Sequence, residues 1–389
     1  MGERTVLADG APRQTRYIPT LDGWRAVAIV TVMLQHASDQ ITAAAGSWIE
    51  PAMSVFHENG RFGVYIFFAI SGYLITTLLV DELDRTGGVS LGAFYVRRAF
   101  RILPPLVVVL AVLGLLGATG VIPMPVGRWL SALFFFYNYS SADSTWYLGH
   151  FWSLAVEEHF YLLWPAILVL LRPRRATRVA VALIVAVGLW RLVDLSWRLS
   201  ESSSIRFDDR TDTQLDGLLW GCLLAILCRR GVNRERLAAV TAGWRWWGLL
   251  ALLVVSQAVN LDAPALFSLQ LASRPLLIAL LVIGTVVSPA RRAGAVLELP
   301  VLRWLGRISY SLYLWQQLFL VWHGFEVDGL RWVQRFPASL VAAVVVAALS
   351  HRFVERPTIA LGRRLAARVR ARPDRGHVVG GPHPERALP

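Results

Sequence analysis

Long apolar blocks, separated by short polar segments, run along almost the whole chain of 389 residues. A helix that spans the hydrocarbon core of a bilayer needs about 20 mostly apolar residues, and about ten blocks come close to that length. These blocks are residues 22–40, 61–81, 101–121, 151–171, 178–197, 213–229, 244–260, 272–288, 307–324 and 336–354. The pattern predicts an all-α integral membrane protein with about ten transmembrane helices.

A further apolar stretch, Trp129–Tyr139, is too short to span a bilayer comfortably. Arginine placement supports leaving it out of the count. If the N-terminus is cytoplasmic and this stretch does not span, the richest arginine clusters fall in cytoplasmic loops, as the positive-inside rule requires. We therefore predict one short re-entrant or interfacial segment and a multi-pass protein of the plasma membrane with both termini cytoplasmic. The loop Ser196–Asp212 would then lie outside, and its mixed charges make it a candidate substrate-facing loop.

Composition agrees with this reading and divides the chain into three parts. Hydrophobic residues make up 55% of the chain and charged residues only 17%, which excludes an ordinary soluble domain because its surface would lack polar side chains. We predict a cytoplasmic N-terminal segment at 1–16, a membrane domain at 17–358 and a disordered cytoplasmic tail at 359–389, which is rich in Arg, Pro and Gly.

Net charge and motif content limit the classes of partner that the protein is expected to bind. The net charge of +13 comes from basic residues that lie between apolar blocks, whereas a nucleic-acid site would show a basic patch with interleaved aromatics. The lipid bilayer is therefore the expected partner, and nucleic acid is not. The sequence contains no CxxC or HExxH spacing, so no metal site and no permanently bound cofactor are predicted.

Ionisable residues inside a membrane helix are costly and are functional candidates by default. Arg25 and His36 are eleven residues apart in the first block, which places them on one helix face, roughly 16 Å apart along the axis. A guanidinium at one depth of the membrane could bind an anionic acyl donor. An imidazole at another depth on the same helix face could then act on a reacting hydroxyl. The alternatives are an arginine that extends to the interface and a structural histidine.

Ser153, Glu157 and Tyr161 recur at intervals of four residues and form a polar stripe on one helix. Glu157 is expected at about the depth of His36. A carboxylate beside an imidazole fixes its tautomer and makes it a better general base, so we predict His36 and Glu157 as the catalytic pair. A structural ion pair between helices is the alternative.

Two further features belong to the same hypothesis. Arg98 and Arg101 are neighbours at i and i+3 and could hold phosphates together, although arginines here could also be ordinary positive-inside residues. Ser71, followed by a glycine, permits close helix packing or lines a path. The residues expected along a substrate path are Asp22, Ser71, Trp152, Ser153 and Tyr161.

Taken together, these segments resemble acyltransferase family 3, a family of membrane proteins that modify sugars, envelope polymers and some antibiotics. The matching pieces occur in the family's order and cover about residues 17–358. They are Tyr17–His36, Phe67–Ile75, Phe94–Pro105, His150–Pro165, Thr211–Ala225, Leu305–Gln316 and Phe353–Pro357. One departure is Gln316, where family members often carry a histidine, so no proton-transfer role is assigned to this residue.

The resemblance implies an acyl-CoA co-substrate on the cytoplasmic side and an acceptor at the outer face. It also implies a catalytic role for His36 and acyl-CoA-binding roles for Arg25, Arg98 and Arg101. We expect transfer of an acyl group, most simply acetyl, to a hydroxyl of a glycan, a glycolipid or a macrolide-like glycosylated metabolite. The alternatives are a transporter or flippase of a small or lipid-linked glycoside and a non-catalytic acyl-CoA sensor. The sequence does not determine the acceptor, the length of the acyl chain or the oligomeric state.

Overall fold

The computed structural model describes residues 17–140, 145–197, 206–229, 231–258, 264–288 and 291–371. Within these ranges the regular elements are helices and there is no strand, which confirms the all-α class for this part of the chain. The first seven helices are α1 Pro19–Ala45, α2 Glu50–Asn59, α3 Arg61–Thr86, α4 Leu91–Ala118, α5 Val126–Leu133, α6 Phe151–Trp197 and α7 Thr211–Gln214. The remaining eight are α8 Asp216–Cys228, α9 Gly231–Thr241, α10 Trp244–Ala258, α11 Pro264–Val287, α12 Arg291–Leu297, α13 Pro300–Phe319, α14 Ala338–Ser350 and α15 Arg356–Ala371.

The ends of the helices that carry the site follow from local sequence. Pro19 occupies the first turn of α1, where its missing N–H costs nothing. Gly87 ends α3 with a φ of 74°, a left-handed conformation that glycine adopts without strain. Ser90 caps α4 by accepting a hydrogen bond from the backbone N–H of Ala93 at 3.3 Å.

Glycines allow the central helices to approach closely. Helix α3 packs on α8, and α1 packs on α13 and α3. A Cβ atom on Gly72 would lie 2.0 Å from the carbonyl oxygen of Leu218, and one on Gly221 would lie 2.3 Å from that of Ala69. Small residues at crossing points are typical of packed membrane helices, and here they allow the backbones of α3 and α8 to come into direct contact.

Five described helices are long and apolar enough to cross a membrane, or six if the bent pair α9 and α10 forms one span. One of the five is the segment Trp146–Trp197, which contains α6. The backbone of α6 is kinked at Arg172, where it is not helical. The predicted blocks 151–171 and 178–197 lie on either side of this break. The predicted spans 22–40, 213–229 and 307–324 fall on α1, α8 and α13, which are too polar or too short to meet the same criterion. The figure of about ten spans therefore stays a prediction.

The residues of the predicted re-entrant or interfacial segment are divided between α5 and a 3-10 turn at Tyr137–Tyr139. They do not form one continuous helix. The indole N–H of Trp129 donates to the carbonyl oxygen of Leu110 at 2.7 Å, which fixes α5 against α4. The position of this segment relative to the bilayer stays a prediction.

The C-terminal region contains a helix where the sequence predicted disorder. The prediction of a disordered tail is wrong for residues 359–371, because α15 continues to Ala371 and packs along α4. The contact depends on Gly362, where a Cβ atom would lie 2.5 Å from Cβ of Phe100. Eight of the thirteen residues from Ile359 to Ala371 are apolar, and with the arginines between them they form an amphipathic helix, which the sequence prediction overlooked because it gave most weight to the arginines. Residues 372–389 and the predicted N-terminal segment 1–16 lie outside the described residues.

Candidate active site

Two cavities lie next to each other among the central helices. The larger has a volume of about 590 Å³ and the smaller about 240 Å³. Val64 and Tyr313 line both cavities and therefore form part of the wall between them. The hydroxyl of Tyr313 donates to the carbonyl oxygen of His150 at 2.6 Å and accepts from Ser153 at 2.6 Å, so its ring is held in a defined position.

The larger cavity is strongly basic. Its lining includes two carboxylates, Glu82 and Glu157, and seven arginines, namely Arg25, Arg85, Arg97, Arg98, Arg101, Arg363 and Arg370. An excess of guanidinium groups around a cavity favours an anionic ligand, because arginine pairs well with phosphate and carboxylate oxygens.

The three arginines singled out in the sequence meet in this cavity, although they come from α1 and α4. Arg25 pairs with Asp22 at 3.4 Å. Arg98 lies over the ring of Tyr161, with its guanidinium carbon 3.3 Å from the ring centre. Within the described ranges no carboxylate lies within 4.0 Å of Arg101, so its charge is available to a ligand.

Glu157 occupies a different place from the one predicted. Its carboxylate accepts hydrogen bonds from Ser71 at 3.1 Å and from Tyr161 at 2.9 Å, and it lies 3.6 Å from Arg98. It therefore belongs to the arginine-lined cavity. The predicted contact between Glu157 and His36 is wrong, because similar depth on two helices does not place side chains on facing sides.

His36 lies in the smaller cavity, where two glutamines hold its ring. Nδ1 of His36 is 3.3 Å from the amide oxygen of Gln316, and Nε2 is 3.3 Å from the amide nitrogen of Gln317. An amide oxygen accepts and an amide nitrogen donates. This arrangement corresponds to a neutral imidazole with its proton on Nδ1 and a lone pair on Nε2, which is the form that a general base requires.

Gln317 also contacts a second buried imidazole. Its amide oxygen is 2.5 Å from Nδ1 of His150 and accepts from the backbone N–H of the same residue at 3.1 Å. Gln317 thus links His36 to His150. The sequence interpretation missed both His150 and Gln317, although two consecutive glutamines in an otherwise apolar helix were a signal that this face is polar.

Aromatic side chains form much of the smaller cavity. Trp146, Trp152 and Trp322 line it together with Arg61 and Asp209. The ring of Trp146 meets His36 edge-on at 5.5 Å. Arg61 lies 5.0 Å from the centre of the Trp152 ring and pairs with Asp209 at 3.0 Å. Flat apolar rings beside charged hydrogen-bonding groups suit a ligand with an apolar face and a polar edge.

Three of the five predicted path residues line a cavity, and the other two contact arginines that do. Ser71 and Ser153 line the larger cavity, and Trp152 lines the smaller one. Asp22 and Tyr161 contact Arg25 and Arg98 respectively. Of the predicted substrate-facing loop, Arg206 and Asp209 line the smaller cavity, and residues 198–205 lie outside the described residues.

Comparison with known proteins gives the same family as the motifs. An O-acetyltransferase of Staphylococcus aureus (strain NCTC 8325 / PS 47), OatA, is 28% identical over 368 residues, which covers 88% of this chain and 57% of OatA. A protein of Staphylococcus aureus (strain COL), named provisionally as an O-acetyltransferase, is 31% identical over 372 residues, which covers 89% of this chain and 58% of the relative. The chain thus spans a little under three fifths of the length of these relatives. No solved structure matches it. The sequence-family model of the acyltransferase domain matches residues 18–352, and the chain therefore belongs to acyltransferase family 3.

Proposed function

We propose that this chain transfers an acyl group, most simply acetyl, from cytoplasmic acyl-CoA to a hydroxyl of a glycan, a glycolipid or a macrolide-like glycosylated metabolite. The observation that carries this proposal is the pair of adjoining cavities, one lined by seven arginines and the other containing His36. The first suits the phosphates of a CoA ester, and the second offers a base beside aromatic walls. The names of the two relatives are in keeping with O-acetyl transfer.

The proposed mechanism uses His36 as a general base. The acceptor hydroxyl displaces the amide N–H of Gln317 from Nε2 of His36, and Nε2 then takes the hydroxyl proton while the hydroxyl oxygen attacks the thioester carbonyl carbon. The tetrahedral intermediate then expels CoA as a thiolate, which takes up the proton held by the His36 imidazolium, so that His36 is neutral again and the acceptor leaves as an ester. In the alternative route the imidazole attacks first and forms an acyl-histidine that the hydroxyl then cleaves. Gln316 holds the ring through Nδ1 in either route, and Gln317 holds it through Nε2 until the acceptor binds.

The smaller cavity supports the proposed acceptor class. A sugar ring presents an apolar C–H face and a rim of hydroxyls, which matches the Trp146 and Trp322 rings and the Arg61–Asp209 pair. The proposed orientation has both termini in the cytoplasm of a plasma-membrane protein, so that the arginine-lined cavity opens to the CoA pool and the His36 cavity to the outer side.

Radiolabelled transfer tests the proposal. Purified protein in proteoliposomes is supplied with acetyl-CoA carrying a labelled acetyl group, together with isolated envelope material or simple methyl glycosides. We expect free CoA thiol and label that mild alkali releases as acetate. His36→Ala should lower the rate by at least about a hundredfold, whereas His323→Ala, in an exposed loop, should not.

The same assay separates the alternative functions. A transporter moves a labelled glycoside into or out of the vesicles and releases no thiol. An acyl-CoA sensor binds CoA and releases no thiol with any acceptor. Transfer by His36→Ala at the wild-type rate, in a protein with an unchanged melting temperature, would contradict the mechanism.

A further inference from the structure

The basic cavity extends well beyond the arginines that the family motifs single out. Val64, at one end of α3, lines the wall shared with the His36 cavity, and Glu82, near the other end of α3, also lines the larger cavity. Eighteen residues of helix separate them, which corresponds to roughly 27 Å. The larger cavity is therefore long, with a reaction end near Val64 and a remote end near Glu82.

Helix α15 forms part of the remote end. Ile359, Arg363 and Arg370 line the cavity, and Ala366 of the same stripe is buried. These positions are spaced by four, three and four residues, so they share one face of α15. Close contact between Gly362 and Phe100 on α4 holds this face against the cavity.

Charges at the remote end are not balanced by the protein. Arg370 pairs with Glu82 at 2.6 Å, and Arg97 lies 3.9 Å from the same carboxylate. Among the described residues no carboxylate lies within 4.0 Å of Arg363. Glu82 is thus shared by the guanidinium groups of Arg370 and Arg97, Arg363 has no such partner within the described ranges, and an anion bound here would complete the balance.

We infer that Arg363 and Arg370, together with Arg97, form a subsite for the 3′-phosphate of acyl-CoA. This inference rests on the proposed function. Acyl-CoA is a long molecule with the thioester at one end, the diphosphate in the middle and the adenosine 3′-phosphate at the other end. With the thioester toward the wall at Val64 and Tyr313, and the diphosphate at Arg98 and Arg101, the 3′-phosphate reaches the remote end. Helix α15 is then a wall of the donor site.

Equilibrium binding with two ligands tests the subsite. CoA and 3′-dephospho-CoA are titrated into purified wild-type protein, Arg363→Ala, Arg370→Ala and Arg368→Ala. Arg368 is an exposed arginine of α15 that does not line the cavity and is the matched control. We expect Arg363→Ala and Arg370→Ala each to weaken CoA binding by about five- to tenfold, since a charge-assisted contact is lost at a partly exposed site. Binding of 3′-dephospho-CoA should change less than about twofold, because the contacted group is missing.

A second variant separates ligand binding from helix packing. If Arg370 serves only to pair with Glu82, Glu82→Gln and Arg370→Ala lose the same contact and behave alike. If Arg370 binds phosphate, Glu82→Gln removes a competing negative charge and strengthens CoA binding by about threefold or more. Equal loss of both ligands in Arg370→Ala, or unchanged CoA binding, would overturn the inference. Absence of CoA binding in the wild-type protein would instead overturn the proposed function.

Discussion

Gln317 lies between the imidazoles of His36 and His150 and favours one tautomer of each. Its amide nitrogen faces Nε2 of His36, and its amide oxygen faces Nδ1 of His150. Because an amide cannot exchange its donor and acceptor ends without rotating, the contact favours one tautomer of each histidine. A neutral amide performs the orienting task that the sequence analysis assigned to the carboxylate of Glu157.

Gln317→Leu tests this role. Leucine has a similar volume but no hydrogen-bonding groups, so His36 should sample other ring orientations and tautomers. We expect the transfer rate at saturating acetyl-CoA to fall by about tenfold or more, the cost of losing one buried hydrogen bond or slightly more. The KM for acetyl-CoA should change less than about twofold, because Gln317 does not line the larger cavity.

Gln35→Leu is the matched control for Gln317→Leu. Gln35 also lines the smaller cavity, but its amide donates to the carbonyl oxygen of His57 at 3.3 Å. Because Gln35 lines the proposed acceptor cavity, its replacement can change the KM for the acceptor, but the rate at saturating acceptor should stay within about twofold of wild type, since no hydrogen bond to His36 is lost. If Gln35→Leu and Gln317→Leu lowered the rate equally, orientation of His36 by Gln317 would not explain the loss.

At the scale of helices, glycine determines how closely α3 and α8 approach. Gly72→Leu places a side chain where the Leu218 carbonyl oxygen now lies, 2.0 Å from the required Cβ position. We expect a loss of at least about 1–3 kcal/mol in stability, measured as a lower melting temperature and a lower folded yield in detergent. Gly248→Leu, in α10, is the control, because among the described residues no atom of a neighbouring helix lies within 4 Å of its Cβ position. Equal melting temperatures for the two variants would contradict the packing argument.

The sequence predicted helices well where an apolar block was long and continuous. Blocks 61–81 and 151–171 lie inside α3 and α6, because block length alone fixes a spanning helix. The prediction was weaker at 213–229, where the chain divides at Leu215 into α7 and α8. A buried ion pair at 2.5 Å between Arg191 and Asp216 holds that break, and such a contact between distant segments leaves no periodic signal.

Helix α15 was missed for a different reason. The arginines between its apolar residues resemble a disordered tail in composition. The candidate site shows the same limit. Helix periodicity placed Arg25 and His36 on one face of α1, but the rotation of one helix against another is set by packing, so the partner of His36 could not be predicted.

For the molecule as a whole, the proposed topology can be checked by labelling. In a cysteine-free background, single cysteines replace Trp48, Gly88 and Trp332, which lie in the connections between α-helices. With ten spans and a cytoplasmic N-terminus, a membrane-impermeant maleimide should label Trp48→Cys and Trp332→Cys in intact cells. Gly88→Cys should react only after permeabilisation. Protection of Trp332→Cys in intact cells would mean an even number of crossings before it and would contradict the predicted count.

Acyl transfer requires the thioester in the larger cavity and the hydroxyl in the smaller cavity to meet at the wall between the two cavities. Tyr313 belongs to that wall and is fixed by hydrogen bonds to Ser153 and to the His150 carbonyl. Tyr313→Ala should join the cavities and admit water from the smaller cavity to the thioester. We expect acetyl-CoA hydrolysis without acceptor to rise by about tenfold over wild type, while acceptor acetylation falls.

Tyr313→Phe is the informative control, because it retains the ring and loses only the two hydrogen bonds. If the ring itself is the barrier, this variant should hydrolyse acetyl-CoA at the wild-type rate. Thiol release without acceptor, measured in proteoliposomes, distinguishes the cases. Hydrolysis in Tyr313→Phe equal to that in Tyr313→Ala would show that the hydrogen bonds keep the wall closed. Unchanged hydrolysis in Tyr313→Ala would mean that the acyl group reaches His36 by a route that does not pass this residue.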